Sequence, residues 1–277
     1  VTERGFTGRF HLMQSSGGLT APETSIRFPV RFLESGPAGG AQATAFVGAS
    51  VGHKDIISFD MGGTTAKACL IQNGRPDIAS MLEAGRVHRF KRGSGLPIHA
   101  PVIDMIEIGA GGGSIARVDN LGLLKIGPNS AGADPGPACY AQGGVDPTVT
   151  DANLLLGYLD PDYFLGGRMS LDIEAAKQAM SKVAKPLNLD IMQAAAGIID
   201  LVAENMAGAA RVHIVEKGCD PRRYAMVAMG GAGPLHASHV ARKLGVSEVV
   251  VPPASGAASA LGFLAASIGY EISRSMP

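Results

Sequence analysis

The sequence predicts an α/β fold, a mixed sheet flanked by helices, and three observations carry the prediction. The C-terminal part alternates strand and helix patterns: 224–229 as a strand, 234–244 as a helix, 248–251 as a strand and 256–267 as a helix of small residues. Alternation at this spacing implies a partly parallel sheet with helices packed against it. Residues 55–60 form a short apolar run bounded by glycines at 52 and 62, which suits a buried strand. Finally, 191–217 is apolar or small on nearly every side, with Asp190 as its cap and Gly218 as its left-handed stop. A helix of that length runs ~40 Å, and one apolar all round is expected to be central.

The remaining elements follow in order. Residues 1–35 read as irregular structure with short strands, turning at 15–18. The small residues of 35–45, after a Pro/Gly start, predict a helix packed closely against another backbone. Residues 66–72 make a second strand, joined to the first by a tight turn at 62–65. From 74 to 170 glycine and proline abound, so this stretch is expected to be an inserted β-rich segment, with a hairpin around Asp119 and Asn120. Thr150 or Asp151 is the expected cap of a helix over 152–158, and Asp172 opens another that Pro186 ends.

Composition narrows the function classes. Hydrophobic residues make up 46% and charged residues 17%, which excludes disorder. Glycine, 38 of 277 residues, is about twice its usual ~7%, so the excess belongs to turns, tight contacts and ligand-facing loops. With 24 basic and 24 acidic residues, no basic cluster and no tryptophan, nucleic-acid binding is not expected. The cysteines Cys69, Cys139 and Cys219 are odd in number and far apart, which argues against a disulfide framework or a zinc ribbon and suits a reducing cytoplasm. No apolar run reaches the ~18 residues of a membrane span. The start, Val1-Thr2-Glu3-Arg4, is neither a signal peptide nor an initiator methionine, so the chain is expected to come from something longer.

Two glycine motifs carry chemistry. In Asp60-Met61-Gly62-Gly63-Thr64-Thr65 a buried strand delivers a carboxylate, and two glycines then turn the chain. Bare backbone N–H groups can approach phosphate oxygens there, the Thr64 and Thr65 hydroxyls add donors, and Asp60 can hold Mg²⁺ or its waters. An ordinary hairpin turn explains the same residues. In Gly230-Gly231-Ala232-Gly233-Pro234-Leu235-His236 a glycine loop lies between a strand and a helix N-terminus, which attracts anions or admits a flat ring. The alternatives are a dinucleotide loop, weakened because His236 stands where the third glycine belongs, and plain strand-to-helix packing. Gly109 to Ser114 is expected to be an ordered loop, and no Walker GxxxxGK[ST] pattern occurs.

Together these stretches resemble a family. Asp60 to Thr65 is similar to the second phosphate loop of the actin/sugar-kinase superfamily, and Met229 to Gly233 to its adenosine loop. Ser35 to Thr44 and Ser255 to Leu264 look like its connecting helices. More specifically, 34–40, 108–116, 130–140 and 148–153 resemble the hydantoinase A / oxoprolinase family. The resemblance implies that 1–277 is a single actin-like (ribonuclease H-like) ATPase lobe with the β-rich insertion at about 74–170. It implies an ATP- and Mg²⁺-using enzyme that phosphorylates a cyclic amide or carboxyl group before ring opening. Asp60 would serve catalysis and the metal, and Gly62, Gly63, Thr64 and Thr65 the phosphates. Gly230, Gly231, Ala232, Gly233 and His236 would form the nucleoside wall. The family's first phosphate loop, DxGGTxTD, has no counterpart here, so an N-terminal lobe is expected beyond the chain, with a hydantoinase B-type subunit and oligomerisation as further expected partners. Relatives carry Ser-Thr-Asp where this chain has Thr65-Ala66-Lys67, so the carry-over of phosphate contacts stops at Thr65.

Other function classes stay open. The superfamily loops also permit an actin-like nucleotide switch or the ATPase subunit of a ketone carboxylase, and a dinucleotide enzyme would bind NAD without Mg²⁺. Cys139 is a candidate nucleophile or a buried small hydrophobe. His99, Asp104, Asp134 and Asp151 are candidate metal ligands without helical ligand spacing. Glu204, alone on an apolar helix, is expected to have a buried partner.

Overall fold

The computed structural model describes residues 2–85 and 93–270. In chain order the principal elements are helix α1 (Ser35–Ser50), strands β1 (Ile56–Met61), β2 (Ala66–Gln72), β3 (Met105–Ile108), β4 (Ser114–Val118) and β5 (Leu124–Ser130), and helices α2 (Val149–Leu155), α3 (Ile173–Ala184) and α4 (Ile191–Glu216). Strand β6 (Ala225–Met229), helix α5 (Gly233–Leu244), strand β7 (Val249–Val250) and helix α6 (Ser259–Ala265) complete them. The chain forms two compact units. One comprises 1–56, 69–104 and 258–277, the other 57–68 and 105–257.

In the first unit, a short antiparallel pair, Leu12–Met13 with Leu19–Thr20, turns over Gln14 to Gly18 as the sequence predicts, the Gln14 N–H donating to the Gly18 carbonyl at 2.8 Å. The predicted close packing of the small-residue helix is α1 against α6. A Cβ on Gly39 would lie 3.1 Å from the Ser259 carbonyl oxygen, and one on Gly262 would run into the Gly39 carbonyl and approach the Ala43 nitrogen at 2.9 Å. The 256–267 helix forms only over Ser259–Ala265, after a single 3₁₀ turn at Ser255–Ala257.

The main sheet runs β3–β2–β1–β6–β7, with β6 and β7 parallel. β2, β1 and β6 are its inner strands. Ile57, Phe59 and Met61 of β1 and all five residues of β6 are buried, as strands covered on both faces require. Helix α5 packs on β6, α4 on β3, and α2 to α5 pack on one another.

Two predicted caps hold: Asp172 accepts from Ala175 N–H at 2.9 Å, and Asp190 from Gln193 N–H at 2.7 Å. The third is shifted. α2 starts at Val149 with Thr148 as its cap, and Asp151 completes a capping box from the third helical position. Helix α4 is not enclosed all round either. Met192, Val212 and Val215 are exposed, as are Asp200 and Glu204, so the helix buries a broad face and wets a stripe. The hairpin at Asp119 is present. β4 and β5 pair antiparallel, and the Asp119 carboxylate accepts from Leu121 and Leu123 N–H groups, both at 2.9 Å.

Candidate active site

Within the second unit, three glycine segments meet at one end of β1 and β6. The turn after β1 closes when Gly62 N–H donates to the Thr65 carbonyl at 3.0 Å. That bond commits the Gly62 N–H, and leaves Gly63 and Thr64 exposed on the apex, with Thr65 half-buried. The segment after β6 docks on β1, because Ala232 N–H donates to the Met61 carbonyl at 3.0 Å. Gly230 has φ +83°, and a Cβ there would overlap the Met61 carbonyl oxygen and the Asp60 carboxylate. Its N–H donates to the Ser255 carbonyl at 3.0 Å. The Asp60 carboxylate and the Gly230 backbone are therefore in direct apposition, and the bare α-carbon is what allows it.

Asp60 is half-buried at the end of β1. Burial raises its carboxyl above the ordinary carboxylate range, and nearby Lys67 pulls it back down. Lys67 itself lies 3.6 Å from the Glu107 carboxylate, so the ammonium that follows the turn sits among acidic groups.

The Gly109–Ser114 loop is ordered, as predicted, and it is a foundation rather than a rim. Gly111 to Ser114 are buried. Ser114 Oγ accepts from Gly111 N–H at 2.8 Å. Gly112 N–H donates to the Gly62 carbonyl at 3.0 Å, and Gly113 N–H to that of Gly63 at 2.6 Å. A Cβ on Gly111 would lie 2.7 Å from the Gly63 carbonyl, which is why glycine stands there.

His236 is fully buried in the first turns of α5, and its partner is outside its own loop: Nε2 lies 3.1 Å from the Asn153 amide nitrogen of α2. With that amide donating, the ring proton rests on Nδ1. Burial first, and His239 second, push His236 down to about 4, so the ring is neutral at pH 7. His236 Nδ1 and Asn153 Oδ1 make no further hydrogen bond among the described residues.

Two weaker expectations need correction, and a third, Cys139, resolves to the plainer of its two readings. Cys139 is fully buried, as its reading as a small hydrophobe expects, and burial first, then the Asp151 charge, push its thiol well up, which disfavours the thiolate. Asp151 is fully buried and accepts from Cys139 N–H at 2.8 Å, Thr148 N–H at 2.8 Å and Thr148 Oγ at 2.7 Å. It pins the 130–140 loop to α2, and its oxygens are committed. Among the described residues no three or more His, Cys, Asp or Glu side chains group to hold a metal ion, which removes the His99, Asp104, Asp134 and Asp151 cluster. Glu204 is exposed, and the partner expected to be buried is the half-buried Lys243, 3.1 Å away. No helix of the described residues is long and apolar enough to cross a membrane.

Sequence reasoning read Thr150 only as a helix cap and gave Asn153 no role of its own, yet both tie α2 to these loops. Their only signal was membership of the 148–153 stretch, because their partners Gly112 and His236 lie 38 and 83 residues away.

Comparison with known proteins places this geometry. The chain is 45% identical, over its full length, to an uncharacterized protein of Methanocaldococcus jannaschii, covering 41% of that protein. It is 39% identical to the caprolactamase subunit alpha of Pseudomonas jessenii, across 95% of this chain and 37% of the relative. The chain thus spans about two fifths of the curated relatives it matches. Among solved structures, a nucleotide-free acetone carboxylase superposes with TM-score 0.83 at 33% identity over 96% of this chain and 36% of that one. The ATP-dependent caprolactamase of Pseudomonas jessenii superposes with TM-score 0.79 at 38% identity over 94% and 37%. Both bear out the α/β fold with its mixed sheet flanked by helices. The family model described as hydantoinase/oxoprolinase matches residues 1–272, and the chain belongs to the hydantoinase/oxoprolinase family.

Proposed function

We propose that this chain carries one wall of the ATP site of an ATP-dependent cyclic amide hydrolase. The observation that carries the reading is the convergence of Asp60 to Thr65 with Gly230 to Gly233, two backbone-lined loops locked together at the Asp60–Gly230 contact. The exposed N–H groups of Gly63 and Thr64, with the threonine hydroxyls, suit the phosphates. Gly231 to Gly233, at the start of α5, suit the nucleoside or its α-phosphate. His236 supports that wall from within by its bond to Asn153 rather than by reaching solvent.

Mg²⁺ fits the chemistry of the turn. A half-buried carboxylate at a strand end, with its pKa raised by burial, gains from a divalent cation what desolvation took away. Asp60 would hold the ion, directly or through waters, and the ion would neutralise charge on the phosphates. This chain's own task is positional: the turn orients the phosphoryl group toward an amide oxygen, whose phosphorylation creates a leaving group. On this reading the substrate wall and the other phosphate loop lie outside these 277 residues, and a separate partner subunit completes the enzyme. Relatives named as subunits of caprolactamase, acetophenone carboxylase and acetone carboxylase support a multi-subunit enzyme.

A second reading, the ATPase subunit of a ketone carboxylase, is favoured by the closer superposition on acetone carboxylase. One assay separates the two. The full-length protein with its partner subunit is incubated with ATP·Mg²⁺ and either lactams (caprolactam, 5-oxoproline, hydantoins) or ketones with bicarbonate. Ring-opened amino acid formed together with ADP is expected. ADP formation driven only by ketone and bicarbonate would replace the hydrolase reading with the carboxylase one.

A further inference from the structure

We propose that Thr150 is a positioning residue for the candidate phosphate turn, acting through the carbonyl of Gly112. The proposal rests on the nucleotide reading of that turn. A run of glycines has no side chains to hold it by packing, and ordering it is entropically expensive. Hydrogen bonds must do what packing cannot. The Gly112 carbonyl accepts twice from one residue, from Thr150 N–H and from Thr150 Oγ, both at 2.8 Å. On its other side Gly112 donates to the Gly62 carbonyl at 3.0 Å, and Gly113 donates to that of Gly63 at 2.6 Å. A Cβ at Gly112 would stand 2.9 Å from Thr150 Oγ, so the hydroxyl occupies the space a side chain would need.

Thr150 is itself fixed. It is the second residue of α2, between the cap Thr148 and Asp151, whose reciprocal bonds hold this helical turn rigidly. A rigid helix start is thus connected to the phosphate turn through two hydrogen-bonded layers: α2 to the glycine loop, and the glycine loop to Gly62 and Gly63. Thr150 is buried, and its hydroxyl is spent on the Gly112 carbonyl. Loss of its hydroxyl leaves one carbonyl lone pair of Gly112 unmet in a buried place. The loop then relaxes, and the Gly63 and Thr64 N–H groups lose their aim. The Gly230 to Gly233 wall is held by other bonds, to Met61 and Ser255, and stays in place.

The test is calorimetric titration of the full-length protein with ATP·Mg²⁺ and, separately, with adenosine. Thr150→Val keeps the branched shape and the backbone N–H but removes the hydroxyl, and Thr150→Ser keeps the hydroxyl. Thr150→Val is expected to weaken ATP·Mg²⁺ about five- to tenfold, the loss of roughly one buried hydrogen bond, with adenosine affinity unchanged and Thr150→Ser close to wild type. If Thr150→Val does not fold, Thr150→Ala removes the same hydroxyl and carries the test. Equal losses for ATP and adenosine, no loss for either, or a Thr150→Ser protein as weak as Thr150→Val would each overturn the proposal. A wild-type protein that binds adenosine and not ATP·Mg²⁺ would overturn the nucleotide reading of the turn itself, and this inference with it.

Discussion

At Gly230 two demands meet that no other amino acid satisfies. The backbone is left-handed, φ +83°, and the space a Cβ would fill is taken by the Met61 carbonyl and the Asp60 carboxylate. Gly230→Ala should therefore destabilise the protein by about 2 kcal/mol or more, from left-handed strain of ~1–2 kcal/mol plus the clash, and shift Asp60 from its place. A urea melt checks the first effect and ATP·Mg²⁺ titration the second. Cys139 makes the opposite point: a suggestive residue that the fold neutralises. At pH 8 a thiol reagent should label Cys219, which is partly exposed, long before Cys69 or Cys139, which should react only on unfolding. Rapid native labelling of Cys139 would restore its standing as a nucleophile. Residues whose role is local were legible in the sequence: Asp60-x-Gly-Gly announces its turn, and Asp172 and Asp190 announce their helices. Thr150, Asn153 and Asp151 were not legible as supports, because what each one holds lies far away in the chain.

Elements were legible where one pattern dominated. β1, β2, β6 and α5 fall within a residue or two of expectation, since a fully apolar run or a strand–glycine–helix sequence admits few alternatives. Helix α4 shows the limit. Its alanine-rich sequence looks apolar on all sides, yet alanine is small enough to tolerate either environment, and Asp200 and Glu204 keep one stripe in water, where both meet Lys243. The small-residue character of α1 and α6 was read correctly as close backbone packing. Gly262 faces the Gly39 carbonyl without room for a Cβ. Gly262→Val must push the two helices apart, and should lower the melting temperature by several degrees, since ~2 kcal/mol is worth ~4–8 °C in a chain of this size. An unchanged melt would mean that the two helices do not pack this way in solution.

For the whole molecule, the loops of the second unit show one use of its 38 glycines. Gly62, Gly111, Gly112, Gly113 and Gly230 let three segments lie backbone against backbone, and exposed Gly63, Thr64 and Gly231 stand at the surface with the half-buried Asp60 carboxylate. Such a surface suits polyphosphate. It also has a pH signature. Burial raises Asp60 above the ordinary carboxylate value of 3.8, so the folded state holds that proton more tightly than the unfolded chain does. The stability Asp60 contributes is full below 3.8 and is lost as pH rises through its folded value. Cation binding needs the ionised form, so Mg²⁺-dependent ATP binding should fall on acidification at a higher pH than an ordinary aspartate would dictate, and Lys67→Gln, which removes the opposing charge, should move that midpoint further up.

The central claim is that Asp60 and the glycine turn beside it hold ATP·Mg²⁺. Calorimetric titration of the full-length protein against its Asp60→Asn variant tests it most directly, since asparagine keeps the shape and the contact with Gly230 and removes the charge. Wild-type binding that depends on Mg²⁺, with at least a tenfold loss in Asp60→Asn, is the expected result. Equal affinity in the two proteins, with the same response to Mg²⁺, would contradict the claim and place the nucleotide elsewhere.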